Sequence, residues 1–209
     1  MNYWQAIVLA MVEGITEFLP VSSTGHLILA SRVLGITQTE FVKSFEIAIQ
    51  LGAIGAVVFL YAQTLIRNFA VWKKIIIAFL PTGIVGLVFY SFIKHFLLGN
   101  FMVVVFSLFW GGILMLFLEK YFTGRKREAK MDRLRPSKAL LIGFGQSLSI
   151  VPGVSRAAAT IFSGLGVGLS RQEAVEFSFL LAIPTMAAAA GLDLLKTSGV
   201  FHQIGRAHV

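Results

Sequence analysis

The chain has 209 residues, of which 56% are hydrophobic and 13% charged, and its mean hydropathy is +0.81. Soluble domains carry about 25% charged residues, so this balance excludes a soluble globular fold and leaves a membrane protein. The net charge of +8 is loop charge that sets orientation and meets anionic headgroups, with no nucleic-acid partner expected, and the absence of cysteine removes disulfides and thiol chemistry.

The N-terminal segment lacks the basic start of a cleavable signal, and Glu13 and Glu17 interrupt its apolar run. The two glutamates are four residues apart, so on a helix both carboxylates share one face. Inside a membrane such a pair calls for a cation, a proton or an arginine nearby. PVSSTGH comes next, at 20–26. Pro20 breaks the helix before it. Ser22, Ser23 and Thr24 are N-caps for a helix that restarts, Gly25 leaves room for a ligand to approach the backbone, and the free N–H groups of that helix start suit an anion. His26 can serve as acid or base near neutral pH.

Further along, a helix is predicted at about 44–60, then uncharged runs from Ile75 to Ile93 and from Phe101 to Leu118. A third run, Ala139 to Ser155, is nearly long enough to cross a hydrocarbon core of about 30 Å. The continuity of these runs disfavours a β-barrel. PGVSRAAAT at 152–160 repeats the earlier logic, with Pro152 and Gly153 breaking a helix, Ser155 capping the next, and Arg156 at its start. An arginine between apolar runs requires an anionic partner. It pairs with Glu13 or Glu17, or it grips a phosphate with its planar fork. Thr160, one turn on, either adds a hydroxyl to that site or bonds its own helix backbone. GLGVG at 164–168 lacks the Lys-Ser/Thr of a nucleotide loop and reads as close helix packing. A last helix is predicted at about 174–195.

The basic residues fall in loops 61–74 and 119–138, the second holding eight Lys or Arg against three acids. Both are placed on the cytoplasmic side by the positive-inside rule, and 35–43 on the other. A shift of 133 lays Glu13 on Gln146, Val21 on Val154 and Ser22 on Ser155, and a shift of 132 lays 45–57 on 177–189. Phe18–Ser31 and Ala157–Ser170 are both uncharged stretches of 14 residues, too short to span. Short interrupted segments at matching positions predict an all-α polytopic protein with an inverted-topology repeat, its two re-entrant segments meeting near the midplane. Repeat 1 covers about 3–118 and a partial repeat 2 about 139–195, within a single membrane domain of 1–195. The 196–209 tail is expected to be a truncated or non-native end.

EGITEFLPVSSTGH and PGVSR together resemble the undecaprenyl-diphosphate phosphatase family, also called bacitracin-resistance proteins, over about residues 4–195. The resemblance implies a bacterial inner-membrane enzyme that removes the terminal phosphate of undecaprenyl diphosphate and so recycles the lipid carrier of cell-wall synthesis. The family's acidic pair falls on Glu13 and Glu17, its serine and histidine on Ser23 and His26, and its phosphate-gripping arginine on Arg156. Where the family often has serine after that arginine, this chain has Ala157. On this reading Glu17, Ser23 and His26 are catalytic. Ser22, Thr24, Gly25, Ser155, Arg156 and Thr160 bind phosphate, and Glu13 with Glu17 holds Mg²⁺ or Ca²⁺. Either Ser23 or a water activated by Glu17 attacks phosphorus. Membrane lipid is the expected surrounding, and a homodimer is left open. The alternative reading is a polyprenyl-phosphate flippase or transporter using the same site.

Overall fold

The first helix, α1 (Tyr3–Thr16), starts at a capping box: the Asn2 side chain accepts from the Gln5 N–H, and the Gln5 side chain accepts from the Asn2 N–H. Pro20 lies in the turn after it, and the chain reverses into α2 (Ser23–Val33). The two helices have 14 and 11 residues, so they reach about 21 and 16 Å and cannot cross alone. Gln5 Nε2 donates to Leu34 O at 3.0 Å and ties the open mouth of this hairpin. The structure is a computed structural model describing residues 1–97, 100–124, 127 and 129–206, with the side chains at 40, 94, 95, 194 and 196–206 set aside. Arg125, Lys126, Glu128 and 207–209, with the side chains of Lys94, His95 and 196–206, on which the loop and tail assignments partly rest, therefore lie outside what is described.

The long helix α3 (Glu40–Leu60) is capped by Thr39, and the short α4 (Ala62–Arg67) leads to α5 (Phe69–Val88), which carries Pro81 inside it. A three-residue α6 (Tyr90–Phe92) and a π-turn come next, and then α7 (Phe101–Phe122). A second hairpin is made of α8 (Pro136–Ser147) and α9 (Arg156–Gly166), and α10 (Arg171–Arg206) closes the described chain. Four helical stretches are long and apolar enough to span: Phe41–Leu60, Phe69–Val88, Phe101–Phe122 and Arg171–Asp193. The run Ala139–Ser155 does not form a span. Its helix stops at Ser147 after 12 residues, tightens into a 3₁₀ turn at Leu148–Ile150, and breaks at Pro152 and Gly153. The continuous hydropathy of that run comes from a half-helix with one face in the core, at Ala139, Ile142 and Gly143, and another, at Leu141, Phe144 and Leu148, exposed.

The two hairpins open at opposite ends of the bundle. The first has its mouth beside the α3 start, since Leu34 and Thr39 are five residues apart. The second is tied at its mouth by Lys138 Nζ donating to Val167 O at 2.7 Å. Next to that mouth, Lys74 near the start of α5 donates to the carbonyls of Met131 (2.9 Å) and Asp132. The 61–74 and 131–138 segments therefore share one end. The 21 residues of α3, about 31 Å of helix, separate it from the other.

The largest core joins α5, α8, α9 and α10 through Ile75, Ala78, Ile142, Ile161, Phe177 and Leu181, all buried. Gly143 brings α8 hard against α5: a Cβ there would lie 2.0 Å from Ala78 O. Gly164 packs against Ala174, which fits the packing role expected for 164–168. Helix α7 stands at the periphery. Val104 is its one buried residue among those described, and Phe106, Phe109, Trp110 and Phe117 are exposed, as a lipid-facing helix requires.

Candidate active site

Two serine caps build the site. Ser22 caps α2 by accepting from Gly25 N at 3.3 Å, and Ser155 caps α9 by accepting from Ala158 N at 3.1 Å. Ser22 holds φ 64°, the one non-glycine residue with positive φ among those described. That conformation costs about 1–3 kcal/mol and collects at functional sites. In the other turn the position requires glycine twice over: Gly153 has φ +93°, which L side chains rarely adopt, and a Cβ there would lie 2.8 Å from Val104 O.

Between the caps lies a buried polar cluster. Arg156 Nη2 donates to Glu17 Oε1 at 2.7 Å, with side-chain exposures of 12% and 5%. The second Glu17 oxygen accepts from Ser23 Oγ. Arg156 Nη1 donates to Ser178 O at 2.8 Å and Ser178 Oγ at 3.3 Å. The guanidinium fork thus ties α9 to α10 and to the residue just after α1. Glu13, one turn before Glu17, is fully buried, and neither of its carboxylate oxygens has a hydrogen-bond partner.

Glu17, Ser22, Ser23, Thr24, Ser155 and Arg156 line one cavity of about 480 Å³, which runs along α5 and α10 to Lys43, Tyr90 and Asp193. His26 does not line it. His26 opens on a second cavity of about 530 Å³ between α2, α7 and the α8–α9 turn, and Val154 and Ser155 line both. The His26 Nδ1–H donates to Ser22 O at 2.8 Å. A carbonyl can only accept, so neutral His26 carries its proton on Nδ1 and leaves Nε2 as the basic nitrogen.

Two other sequence-predicted residues face away from the first cavity. Gly25 is packed against Leu108, whose side chain would be 2.9 Å from an added Cβ. The Thr160 hydroxyl is buried, donating to Arg156 O at 2.9 Å and lying 3.2 Å from Gln146 Oε1. Gln146 Nε2 in turn donates to Thr82 Oγ1 at 3.0 Å and Thr185 Oγ1 at 3.1 Å. This polar knot behind Arg156 joins α5, α8, α9 and α10.

Sequence reasoning missed the two Ser178 acceptors and a second cluster at the far end of the cavity, where Ser44 Oγ donates to Asp193 Oδ2 at 2.7 Å. The available signal was a polar residue inside a span: Ser178 falls opposite Glu46 in the 132-residue shift, and Gln146 opposite Glu13 in the 133-residue shift. Among the described residues no three His, Cys, Asp or Glu side chains gather as a metal site.

The family described as bacitracin resistance protein BacA matches residues 6–208. A protein of Aquifex aeolicus named undecaprenyl-diphosphatase is 55% identical over 207 residues, covering 97% of this chain and 79% of that one. Proteins of the same name from Persephonella marina and Thermus thermophilus are 48% and 49% identical, over 97% and 93% of this chain and 79% and 76% of theirs.

Proposed function

The chain belongs to the bacitracin resistance protein BacA family, and from that premise we infer that it hydrolyses undecaprenyl diphosphate to undecaprenyl phosphate and inorganic phosphate. It is a membrane hydrolase of lipid-carrier recycling, which fits cell-wall synthesis and resistance to bacitracin. The polyprenyl-phosphate carrier alternative is not favoured, because the relatives are named for hydrolysis. The observation that carries the site assignment is the hydrogen-bonded chain Ser23–Glu17–Arg156 between two capped helix starts.

That chain dictates the chemistry. Arg156 and the N–H groups at the α2 and α9 starts receive the phosphates, the substrate displacing Glu17 from part of the guanidinium fork. Ser23 Oγ attacks the terminal phosphorus while its proton passes to Glu17. The bond from phosphorus to the bridging oxygen breaks, and undecaprenyl phosphate leaves with the negative charge that Arg156 stabilises. Water then attacks the phosphoserine with His26 Nε2 as base, freeing inorganic phosphate and restoring Ser23. Direct attack by a water that Glu17 activates reaches the same products without the phosphoserine.

The orphaned oxygens of Glu13, one turn before Glu17, have the hard-donor chemistry of a divalent-cation site, and Glu13 with Glu17 would hold Mg²⁺ or Ca²⁺. When bound, that cation neutralises charge on the phosphate oxygens.

The opposed hairpins, each with a serine-capped second helix, support an inverted repeat in the bacterial inner membrane. The end carrying Lys74 and 131–138 is cytoplasmic, and acyl chains cover the exposed face of α7. A release assay separates hydrolysis from transport: purified protein in detergent micelles, where no gradient exists, frees inorganic phosphate from undecaprenyl diphosphate. Tight binding without release would contradict the enzyme reading.

A further inference from the structure

The span Phe41–Leu60 of α3 carries an amide near its middle, Gln50. The face of α3 that lines the first cavity reads Lys43, Ile47 and Gln50, the i, i+4, i+7 spacing of one helical stripe. Gln50 is half-buried, and among the described residues no hydrogen bond reaches its amide. Gln38 and Gln146, by contrast, both bond to side chains of the fold. A polar group inside a span is costly unless it is paired. The Gln50 amide has no pairing within the fold and is turned to the same cavity as Glu17, Ser23 and Arg156.

Two relations place that amide at the polar cluster. Ser23 lies 11 residues inward of Leu34, and Gln50 lies 11 residues inward of Thr39, at the same end of the bundle. With 1.5 Å of rise per residue, both are about 16 Å from that end. One turn further in, Ile54 packs in a cluster with Met186 and with Phe18, the residue after Glu17. Met186 Sδ is 3.9 Å from Arg156 Nη2. Gln50 therefore stands one helical turn from side chains that pack against Glu17's neighbour and touch the guanidinium.

Resting on the proposed hydrolysis of a polyprenyl diphosphate, we propose that Gln50 is a further catalytic residue, its Nε2 donating to an oxygen of the terminal phosphate while phosphorus is attacked. Arg156 is shared between Glu17 and Ser178, and Glu13 adds a second carboxylate one turn from Glu17. An anionic phosphate in that surrounding gains from a donor on a different wall. The amide of Gln50 gives its N–H without titrating, so it strengthens the hold on the phosphate and leaves proton transfer to Glu17 and His26. Its fixed place on a long helix keeps the donor aimed before the substrate arrives.

The test compares wild-type protein with Gln50→Leu and Gln50→Met in the detergent release assay. Each variant removes an amide that has no partner in the fold, so the melting temperature is expected to stay at the wild-type value or rise. The kcat for undecaprenyl diphosphate is expected to fall about 10²-fold. Inhibition by inorganic phosphate should weaken, and inhibition by undecaprenyl phosphate should not. Wild-type kcat in either folded variant would overturn the assignment. So would weakened inhibition by undecaprenyl phosphate alone, which would put Gln50 on the phosphate that stays with the lipid. A lower melting temperature in both variants would reveal a structural partner and overturn it as well. Absence of release from the wild type would instead overturn the hydrolysis on which the proposal rests.

Discussion

Glu17 and Arg156 are 139 residues apart in the chain and meet at 2.7 Å, nearly dry, at the junction of the two hairpins. Each belongs to a different half of the molecule, and each is also held by its own neighbour, Ser23 for the carboxylate and Ser178 for the guanidinium. Removing one member of such a pair leaves an uncompensated buried charge and costs about 3–5 kcal/mol, whereas removing both does not. Glu17→Ala and Arg156→Ala are therefore expected to destabilise singly, and the double variant to cost less than their sum. Thermal unfolding in detergent measures the coupling. Additive losses would mean that the pair is not a unit.

Arg156→Lys keeps the charge and loses the fork that reaches Glu17 and Ser178 at once. Its phosphate release is expected to fall nearly as far as that of Arg156→Ala. Recovery of more than about a tenth of wild-type kcat would mean that a point charge suffices, which is a difference of about 1.4 kcal/mol in the barrier.

If Ser23 attacks phosphorus, acid-quenched reactions with terminally radiolabelled substrate carry label on the protein, and Ser23→Ala carries none while losing release. A His26→Ala variant should accumulate that label, because the second step lacks its base. Absence of label in every variant would favour the water that Glu17 activates.

Chelation is expected to lower release, and Mg²⁺ or Ca²⁺ to restore it. Glu13→Gln, which keeps the volume of the buried side chain and removes its charge, should shift the cation dependence to higher concentration. Full activity after exhaustive chelation would remove the metal from the mechanism and leave the Glu13 oxygens unexplained.

Gln146 holds three threonine hydroxyls from three helices, but each has an acceptor elsewhere: Thr160 at Arg156 O, Thr185 at Leu181 O, Thr82 at Gly143 O. Gln146→Leu is expected to cost about 1–3 kcal/mol of stability, since the hydroxyls keep part of their bonding. It should lower kcat less than Arg156→Ala does. A loss of release equal to that of Arg156→Ala, in folded protein, would make Gln146 part of the site itself.

Because the chain has no cysteine, sidedness is directly testable. Single cysteines at Thr37 and Gly124 should react with a membrane-impermeant thiol reagent from opposite faces, Gly124 only after the cytoplasmic side is opened. Labelling of both from one face would contradict the opposed hairpins.

Much of the fold is legible in the sequence alone. Pro81 and Pro184 lie inside α5 and α10, so proline alone does not end a helix here; Pro20 and Pro152 do so in company with a capping serine downstream, and that combination makes both half-helices readable from local chemistry. Arg156 with Glu17 is legible because a lone charge among apolar runs needs a partner, although Glu13 meets the same condition equally well. Three features are not readable that way. The run 139–155 has the hydropathy of a span because it packs one face on α5 through Gly143 and leaves apolar Leu141, Phe144 and Leu148 exposed on another, so a half-crossing is as apolar as a full one. Thr160 bonds its own helix at Arg156 O, one of the two alternatives open in the sequence, but its second contact is with Gln146, which lies on another helix. The ring of His26 is held locally by Ser22 O, but the cavity it opens on is made by α7, packed on Gly25 through Leu108, and nothing in SSTGH encodes the course of α7. A cavity is a tertiary object, and its two sides are split between residues adjacent in sequence.

The central claim is that polar tips from the two halves converge to hold one diphosphate headgroup. Phosphate release from undecaprenyl diphosphate by purified Arg156→Ala, whose side chain comes from the second half, tests it against a nucleophile and base from the first. Convergence predicts a fall of about 10²- to 10³-fold in kcat with the protein still folded. Near-wild-type turnover by folded Arg156→Ala would contradict it.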